Sequence, residues 1–269
     1  MSDHLPRAET GRLAGLLRDQ LNEMMAAANS LGDLLSMSPK GLEYLAVINR
    51  GLCSQLRLAR HLDLDYQLSS EDEVRLRLRP VDLVELCREL ARQVESVTHV
   101  LRVSMEFRTD LEELVMNADR ERLEDLLLYL ISNSVKAAGE DGRIVLTLER
   151  RRDRVIFLLS DNGGGLDAAA LSEFFGQREE DEIPPGTGLG RGLPLARKIA
   201  ALHGGAIIAD SYENQGTRLA VALPFQAPDA SGALNSRWPV IHEEGWNKVL
   251  VELSDCLPIQ SFVPEELDG

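Results

Sequence analysis

Three glycines at alternate positions, Gly186, Gly188 and Gly190, stand directly before a stretch with helical periodicity. Glycine inside ordered structure costs conformational entropy, so such a cluster indicates a loop that turns sharply or approaches a ligand closely. The stretch that follows, GLPLARKIAALHGG, predicts a helix because its apolar residues recur at helical spacing. A glycine loop that leads into a helix N-terminus offers free N–H groups to a phosphate. An ordinary glycine-rich turn explains this segment alone equally well.

The spacing of these glycines excludes two common phosphate loops. No Gly-Lys-Ser/Thr follows them, so the Walker pattern is absent. Arg191 and Leu193 occupy the positions where a dinucleotide fingerprint would need its third glycine. The choice between a phosphate site and a turn therefore depends on the rest of the chain.

Two polar side chains, Asn133 and Lys136, lie three residues apart in LISNSVKAA, within a predicted helix that is otherwise rich in leucine. Residues at this spacing share one helix face, so the pair could present a carbonyl oxygen and an ammonium group to a Mg²⁺-phosphate. Residues that simply face solvent would give the same pattern.

An acidic residue, Asp161, ends the apolar run RVIFLLS, and three glycines, Gly163 to Gly165, follow shortly after it. This pattern is typical of a simple turn. It also suits a pocket floor, where the carboxylate accepts a hydrogen bond from an adenine amino group and the glycines let the ring lie against the backbone. Thr217, which follows Gly216, carries a hydroxyl that could support this carboxylate. Along the chain, the four features are Asn133 with Lys136, Asp161 with its glycines, the glycine loop, and Thr217. Together they indicate one adenine-nucleotide site.

The first 64 residues predict an antiparallel helical hairpin. Between Gly11 and Leu35 apolar residues recur in steps of four and three, which is the seam of a coiled coil or helical bundle. After the break SMSPKG a second helix follows. A hairpin with one apolar stripe per helix cannot cover itself, so we expect a homodimer through residues 11–64, as a four-helix bundle. The apolar residues of the two stripes are Leu17, Leu21, Met24, Ala28, Leu31 and Leu35, then Leu45, Ile48, Leu52, Leu56 and Ala59.

The middle of the chain predicts an α+β sandwich with a mixed, mainly antiparallel sheet. The stretch DYQLSSEDE is typical of a linker. The stretch VRLRLRP, which follows it directly, is typical of a half-buried strand. A helix is then expected to begin at Pro80. We expect a hairpin domain at 1–66, a sandwich at 74–225 and an extension of unknown role at 226–269, in which KVLVELSD could add one strand.

Composition and charge exclude several classes of function. The formal net charge of −15 argues against nucleic-acid binding and against docking on an anionic membrane. No apolar run is long enough to span a bilayer and no signal-peptide core is present, so we expect a cytoplasmic protein without direct membrane insertion. The three cysteines, Cys53, Cys87 and Cys256, lack metal-ligand spacing, which favours free or buried thiols.

From about Val74 to Pro224 the chain resembles the GHKL superfamily of ATP-binding domains, and within it the sensor histidine kinases. DRERLEDLLLYLISNSVKAA looks like the family's N box, DNGGGLD like its first glycine box, and GTGLGRGLPLARKIAALHGG like its second. The resemblance implies that ATP and Mg²⁺ are bound and that the chain acts in two-component signalling.

The resemblance also implies roles for individual residues. Asn133 would ligate Mg²⁺, Lys136 would contact phosphate, and Asp161 would read adenine. Phe174 and Phe175 match the family's phenylalanine box only loosely, and two buried aromatic residues explain them better. Gly163 and Gly165 would line the ring pocket, and Thr217 would support Asp161. The hinge and phosphate end of a lid over 171–185 would be formed by Gly186, Thr187, Gly188, Leu189 and Gly190.

The sequence departs from the family pattern at two places. Tyr129 stands where the N box often has a further asparagine. In the first helix Arg18 stands where the phosphoacceptor histidine is expected, with Asp19 at the acidic position beside it. An arginine stays protonated and cannot act as the nucleophile. The other histidines of this region, His4 before the first helix and His61 at the expected end of the second, are poor candidates.

These departures leave the final phosphate acceptor open. The interpretation we favour is a histidine-kinase-like protein that binds Mg-ATP and passes the γ-phosphate to a histidine on a partner, with a response regulator or partner kinase as its associate. The alternative is a catalytically inactive, nucleotide-responsive scaffold that docks a response regulator. A serine kinase of the anti-sigma-factor type shares the ATP domain but normally lacks the long hairpin.

Overall fold

A computed structural model describes residues 7–35, 38–69, 75–165, 192–211, 216–228 and 247–263. Backbone contacts divide the chain into two compact units. One comprises Met1–Val74 together with Val240–Gly269, and the other comprises Arg75–Pro239. Among the helices that the structure describes, none combines the length and the apolar character needed to cross a bilayer.

The first unit contains a hairpin of two long helices, α1 (Arg7–Leu35) and α2 (Pro39–Ser69). Their packed faces are apolar, and the side chains of α1 and α2 that are at most 5% exposed include Leu21, Met25, Leu52 and Leu56. The helices are antiparallel, since the Arg18 guanidinium lies 3.1 Å from the Asp63 carboxylate.

Helix α2 runs further than the sequence predicts. The expected linker begins at Asp65, but the helix continues to Ser69. Leu64 is buried in this last stretch, and the Gln67 side-chain amide donates to the Asp63 carboxylate one turn earlier at 3.1 Å. Apolar burial and this i,i+4 contact therefore hold a polar sequence in a helix.

The predicted apolar seam of α1 divides between two faces. Leu21 and Ala28 are buried in the hairpin, whereas Leu17, Met24 and Leu31 are 39%, 56% and 49% exposed. The seven-residue spacing places these three exposed side chains in one row along the helix. Exposed apolar side chains also occur on α2, namely Tyr44, Val47 and Ile48.

The chain's C-terminal part adds a short helix, α6 (Lys248–Glu252), and a 3₁₀ turn (Ile259–Phe262) to the first unit, and both pack on α2. The expectation of a strand in KVLVELSD is therefore wrong. The Asn247 side chain caps the helix by accepting hydrogen bonds from the backbone N–H groups of Val249 and Leu250, at 2.9 and 3.2 Å. Capping and burial outweigh the strand preference of the valines.

The second unit is built on a five-stranded sheet with the order β2-β4-β5-β7-β6. Only the β2–β4 pair is parallel, and the other three pairs are antiparallel. A separate antiparallel ribbon joins β1 to β3. The strands are β1 (Arg79–Asp82), β2 (Ser104–Arg108), β3 (Val115–Ala118), β4 (Arg143–Arg151), β5 (Arg154–Asp161), β6 (Ala206–Ser211) and β7 (Thr217–Pro224).

Among the described residues of this unit, three helices pack on the sheet: α3 (Leu83–Thr98), α4 (Arg120–Ala138) and α5 (Gly192–Leu202). Alternate residues of the central strands, such as Leu146 and Phe157, are buried, as period-two alternation requires for a sheet covered on one face. The predicted α+β sandwich with a mixed, mainly antiparallel sheet is confirmed.

The start of α3 differs from the sequence prediction. Pro80 lies in β1, and residues 75–78 of the predicted strand belong to no regular element. The helix begins at Leu83 because the Asp82 carboxylate caps it, accepting from the Val84 N–H at 3.0 Å.

A buried histidine joins α4, which carries Asn133 and Lys136, to α5, the helix after the predicted phosphate loop. The His203 ring, just after α5, contacts the Ile199 carbonyl through Nδ1 at 2.9 Å and accepts the Asp119 N–H at Nε2, at 3.3 Å. Asp119 is also the N-cap of α4 and accepts from the Arg122 N–H at 3.2 Å. Burial lowers the pKa of His203, which favours the neutral ring that these two contacts require. The end of α5 is thus fixed to the start of α4.

Candidate functional site

Helix α4 presents different side chains to solvent and to the sheet. Asn133 and Lys136 are exposed and lie on one face, as their spacing predicts. Ser134 and Val135 are buried on the other side, 3% and 1% exposed. Two polar groups therefore project outwards, while a hydroxyl between them points into the unit.

The Asp161 carboxylate lies at the end of β5 and is 9% exposed. Its Oδ1 accepts hydrogen bonds from the backbone N–H groups of Gly163 at 3.0 Å and Thr217 at 3.2 Å. Its Oδ2 accepts from the Ser134 hydroxyl at 3.1 Å. One side chain therefore ties together β5, the loop after it, β7 and α4.

Ser134 is a site residue that the sequence analysis missed. It stands between Asn133 and Lys136 but on the opposite side of α4, where it meets Asp161. A small hydroxyl on the buried side of an amphipathic helix is the only signal that could have indicated it. Thr217 was predicted to support Asp161 through its hydroxyl, and the support that the structure gives comes from its backbone N–H.

Glycine is required at two positions around this carboxylate. Gly216 has a φ of +81°, and a Cβ there would overlap the carbonyl oxygen of Asp161. A Cβ on Gly163 would overlap the carbonyl group of Ala137 in α4. The backbone thus approaches the Asp161 region more closely than any side chain would allow. Gly165, with a φ of +74°, is the last described residue of this loop.

The residue after Asp161 fixes the direction of the chain as it leaves the sheet. The Asn162 side-chain oxygen accepts the Arg143 N–H at 2.7 Å, and the Asn162 N–H donates to the Arg143 carbonyl at 3.2 Å. This pair of bonds holds the end of β5 against the start of β4, so that the glycines begin at a defined place.

The donor set fits an adenine nucleotide with its metal. A carboxylate has about four acceptor positions, and the described residues use three of them on Asp161, which leaves capacity for an amino group. The exposed amide of Asn133 offers the oxygen ligand that Mg²⁺ prefers, and the Lys136 ammonium offers charge to phosphate.

The predicted phosphate loop lies outside the described residues. This applies to Gly186, Thr187, Gly188, Leu189 and Gly190, and also to the predicted lid with Phe174 and Phe175. What the structure does describe is the start of α5 directly after this loop, where Gly192 lies against the buried ring of Tyr129 in α4.

The expected phosphoacceptor position carries an ion pair. Arg18 contacts Asp63 across the hairpin at 3.1 Å and lies 3.8 Å from the Asp19 carboxylate, whose side chain is 65% exposed. The structure corrects the placement of His61, which lies two turns before the end of α2. It is 6% exposed, with its Nε2 2.8 Å from a Glu252 carboxylate oxygen. His4 lies outside the described residues.

Comparison with known proteins gives the family. Residues 118–227 match the model for the histidine kinase-, DNA gyrase B- and HSP90-like ATPase. The nucleotide-free catalytic domain of the histidine kinase ThkA is 30% identical with a TM-score of 0.50, and the match covers 56% of this chain and 97% of that domain. The chain belongs to the sensor histidine kinase family. It carries the ATP-binding domain of that family.

Two further matches extend beyond this domain. The circadian input-output histidine kinase CikA of Synechococcus elongatus is 29% identical over 189 residues, which cover 68% of this chain and 25% of CikA. The chain thus spans about a quarter of the length of the curated histidine kinases that it matches. ThkA in complex with the response regulator TrrA is 24% identical with a TM-score of 0.54, covering 82% of this chain and 64% of that one, which shows a shared fold.

The strained glycine beside Asp161 yields a stability prediction. Gly216→Ala should lower the free energy of unfolding by about 1–3 kcal/mol, since alanine at positive φ is strained and its Cβ meets the Asp161 carbonyl. Urea unfolding measures this change. The matched control is Gly164→Ala, where a Cβ meets nothing within 4 Å. Equal loss of stability in both variants would contradict the prediction.

Proposed function

We propose that this chain binds Mg-ATP at the Asp161 site and acts in two-component signalling as a histidine-kinase-like protein. In this proposal residues 1–66 dimerise, residues 74–225 bind the nucleotide, and 226–269 form an extension. The observation that carries it is the buried carboxylate, fixed by three hydrogen bonds beside a helix face that exposes an amide and an ammonium group. A cytoplasmic location is part of the proposal and agrees with the free thiols of the three cysteines.

Adenine recognition falls to Asp161. The carboxylate is oriented by Ser134, Gly163 and Thr217, so it can accept the adenine amino group without rearranging. The backbone at Gly163 contacts α4 directly, with no side chain between them. In this proposal the adenine ring lies beside Gly163 and Gly165.

Phosphate binding falls to the exposed face of α4 and to the glycine loop. Asn133 would ligate Mg²⁺ and Lys136 would contact phosphate oxygens, with Gly186 to Gly190 closing over the phosphates. When bound, Mg²⁺ neutralises phosphate charge and orients the γ-phosphate. Gly192, at the start of α5, lies beside Tyr129 of α4, where a Cβ on the glycine would meet the tyrosine side chain.

The γ-phosphate acceptor is proposed to be a histidine on a partner. Arg18 occupies the expected acceptor position and is held by Asp63, and His61 is buried against Glu252. Neither can attack a γ-phosphate, since the arginine is protonated and the histidine is covered. A response regulator or a partner kinase is the class of partner that we propose, and ThkA, a relative by fold, is known in complex with a response regulator.

The magnesium role of Asn133 is testable by calorimetry. Asn133→Ala should weaken Mg-ATP binding about tenfold, because an oxygen ligand is lost, and should leave adenosine binding unchanged. Asp161→Ala is the matched variant and should weaken both ligands, since each carries the amino group. Unchanged affinity of Asn133→Ala for Mg-ATP would rule out its proposed role.

The homodimer is proposed from the exposed row Leu17, Met24 and Leu31 on α1. Apolar side chains in one row at seven-residue spacing fit a second hairpin in a four-helix bundle.

A charge within this row should prevent association. Met24→Glu should weaken dimerisation by about tenfold or more, measured by sedimentation equilibrium, because the charge would be buried at the interface. Ile208→Glu, at a 59% exposed position on β6, is the control and should behave as the unmodified chain does. Association that is unaffected by Met24→Glu would count against this surface.

A nucleotide-responsive scaffold is the second candidate function, favoured by the Arg18–Asp63 ion pair at the acceptor position. Radiolabelled ATP separates the two. A kinase with an external acceptor should label a histidine of an added partner kinase in an acid-labile form while its own chain stays unlabelled. A scaffold should bind ATP and transfer nothing. Acid-labile label on the chain itself would contradict both.

A further inference from the structure

A strip along α2 is covered by the chain's own C-terminal segment, residues 247–263. The strip consists of Asn49, Cys53, Arg57 and His61, which follow one another every four residues and therefore share a helix face. The Asn49 amide donates to the Phe262 carbonyl at 3.1 Å. Helix α6 and the 3₁₀ turn of the segment both pack on α2. The strip is thus occupied over about three turns.

Charge complementarity fixes the direction in which the segment lies. The Arg57 guanidinium is 2.5 Å from the Asp255 carboxylate and also donates to the Glu252 carbonyl at 3.3 Å. His61 contacts the Glu252 carboxylate at 2.8 Å. Two acidic side chains three residues apart, Glu252 at the end of α6 and Asp255 in the turn after it, therefore meet two basic side chains four residues apart, a pattern that can select an acidic segment.

The apolar part of the segment supplies the attraction. Leu250, Leu253, Leu257 and Phe262 are at most 3% exposed, and burial of such side chains is the main source of binding free energy for a short peptide segment in a groove. Taken with Glu252 and Asp255, the segment has the make-up of an amphipathic peptide ligand: an apolar face with acidic groups at its edge.

The polar atoms of this interface are incompletely matched. Asn49 Oδ1, Ser254 Oγ and Ser261 Oγ are buried without a hydrogen-bond partner among the described residues. A buried polar atom without a partner costs about 1–3 kcal/mol. The buried His61–Glu252 pair adds little net stability, since both groups had to be desolvated. These costs weaken the binding of the segment to the strip. A segment that is bound more weakly is more easily displaced by another ligand.

We propose that the α2 strip is a docking groove for a partner protein that presents a short amphipathic segment with two acidic residues three positions apart, the first at the end of a helical turn and the second in the turn that follows. The segment 247–263 occupies this groove in the free chain, and the partner must displace it. Because a tethered ligand acts at high effective concentration, only a partner with a closely similar acidic segment competes. This proposal does not depend on nucleotide binding, since all its contacts lie within the helical unit.

Cys53 reports on the groove because it lies in the strip, between Asn49 and Arg57. Its thiol is fully buried, and burial raises its pKa to about 12, so it reacts slowly while the segment is in place. Cys87 in α3 is equally buried but lies in the other unit, so it serves as the internal control. The experiment uses the full chain with Cys256→Ser, and mass spectrometry follows iodoacetamide labelling of the two remaining thiols.

Two variants should open the groove by different routes. Glu252→Lys removes the acidic contact, and Leu250→Ala removes apolar burial. Each should speed labelling of Cys53 about tenfold, with Cys87 unchanged, because local opening exposes only the strip. Gln260→Lys introduces a lysine at an exposed position of the segment, away from the acidic contact, and should change neither rate. If Cys53 stays as protected as Cys87 in both opening variants, or if both thiols speed up together in both, the segment is a fixed structural part and the proposal is overturned.

A peptide added in trans tests recognition. A synthetic peptide of residues 247–263, with serine at position 256, should slow Cys53 labelling in Leu250→Ala about fivefold or more, because it refills the groove. The same peptide with alanine in place of both acidic residues should protect much less. Equal protection by both peptides would overturn the acidic specificity, and no protection by either would overturn the docking groove.

Discussion

The second unit depends on one carboxylate held where four elements meet. Asp161 at the end of β5 accepts hydrogen bonds from α4, from its own loop and from the first residue of β7. Each bond satisfies a polar group that would otherwise be buried at a cost, so the packing of the helix on the sheet and the position of the carboxylate are set together. The two glycines that let the backbone approach, Gly163 and Gly216, follow from the same constraint.

The rest of the site is arranged around this point. Because Ser134 on the buried side of α4 meets Asp161, the exposed side of the same helix turn presents Asn133 and Lys136. Because His203 fixes the end of α5 to the start of α4, the helix after the glycine loop has a defined position relative to that face. In the proposed function, Ser134 of α4 orients the carboxylate that binds adenine, and its neighbours Asn133 and Lys136 bind Mg²⁺ and phosphate.

The helical unit contains an antiparallel hairpin, and an arginine stands where the resemblance to the sensor histidine kinases leads one to expect the acceptor. Arg18 forms an ion pair with Asp63, and the one described histidine of the hairpin, His61, contacts Glu252 of the C-terminal segment. The groove that we propose on α2 and the exposed row on α1 suggest a unit specialised for protein contacts, in which partners rather than its own side chains would supply the chemistry.

How much could be predicted from the sequence varies by region. The sheet, α4 and the position of Asp161 were predictable because apolar periodicity and glycine placement are local signals. The heptad pattern of α1 predicted a helix but could not say that Leu21 would be buried and Met24 exposed, since that depends on where α2 lies. The expectation of a strand in KVLVELSD was wrong, because the valines of α6 favour a strand and only tertiary packing overrides them. Asn247, which precedes these valines, is a typical N-cap residue and could have indicated a helix.

The central claim is that Asp161 reads the adenine amino group, and a comparison of ATP with inosine triphosphate tests it most directly. Inosine carries a carbonyl oxygen in place of the amino group. This oxygen is a hydrogen-bond acceptor, as the carboxylate oxygens are, so the two groups would repel each other. Calorimetry on the full chain should give an affinity for ATP about tenfold or more above that for inosine triphosphate, and Asp161→Asn should reduce or reverse this preference. Equal affinities in the unmodified chain would contradict the account.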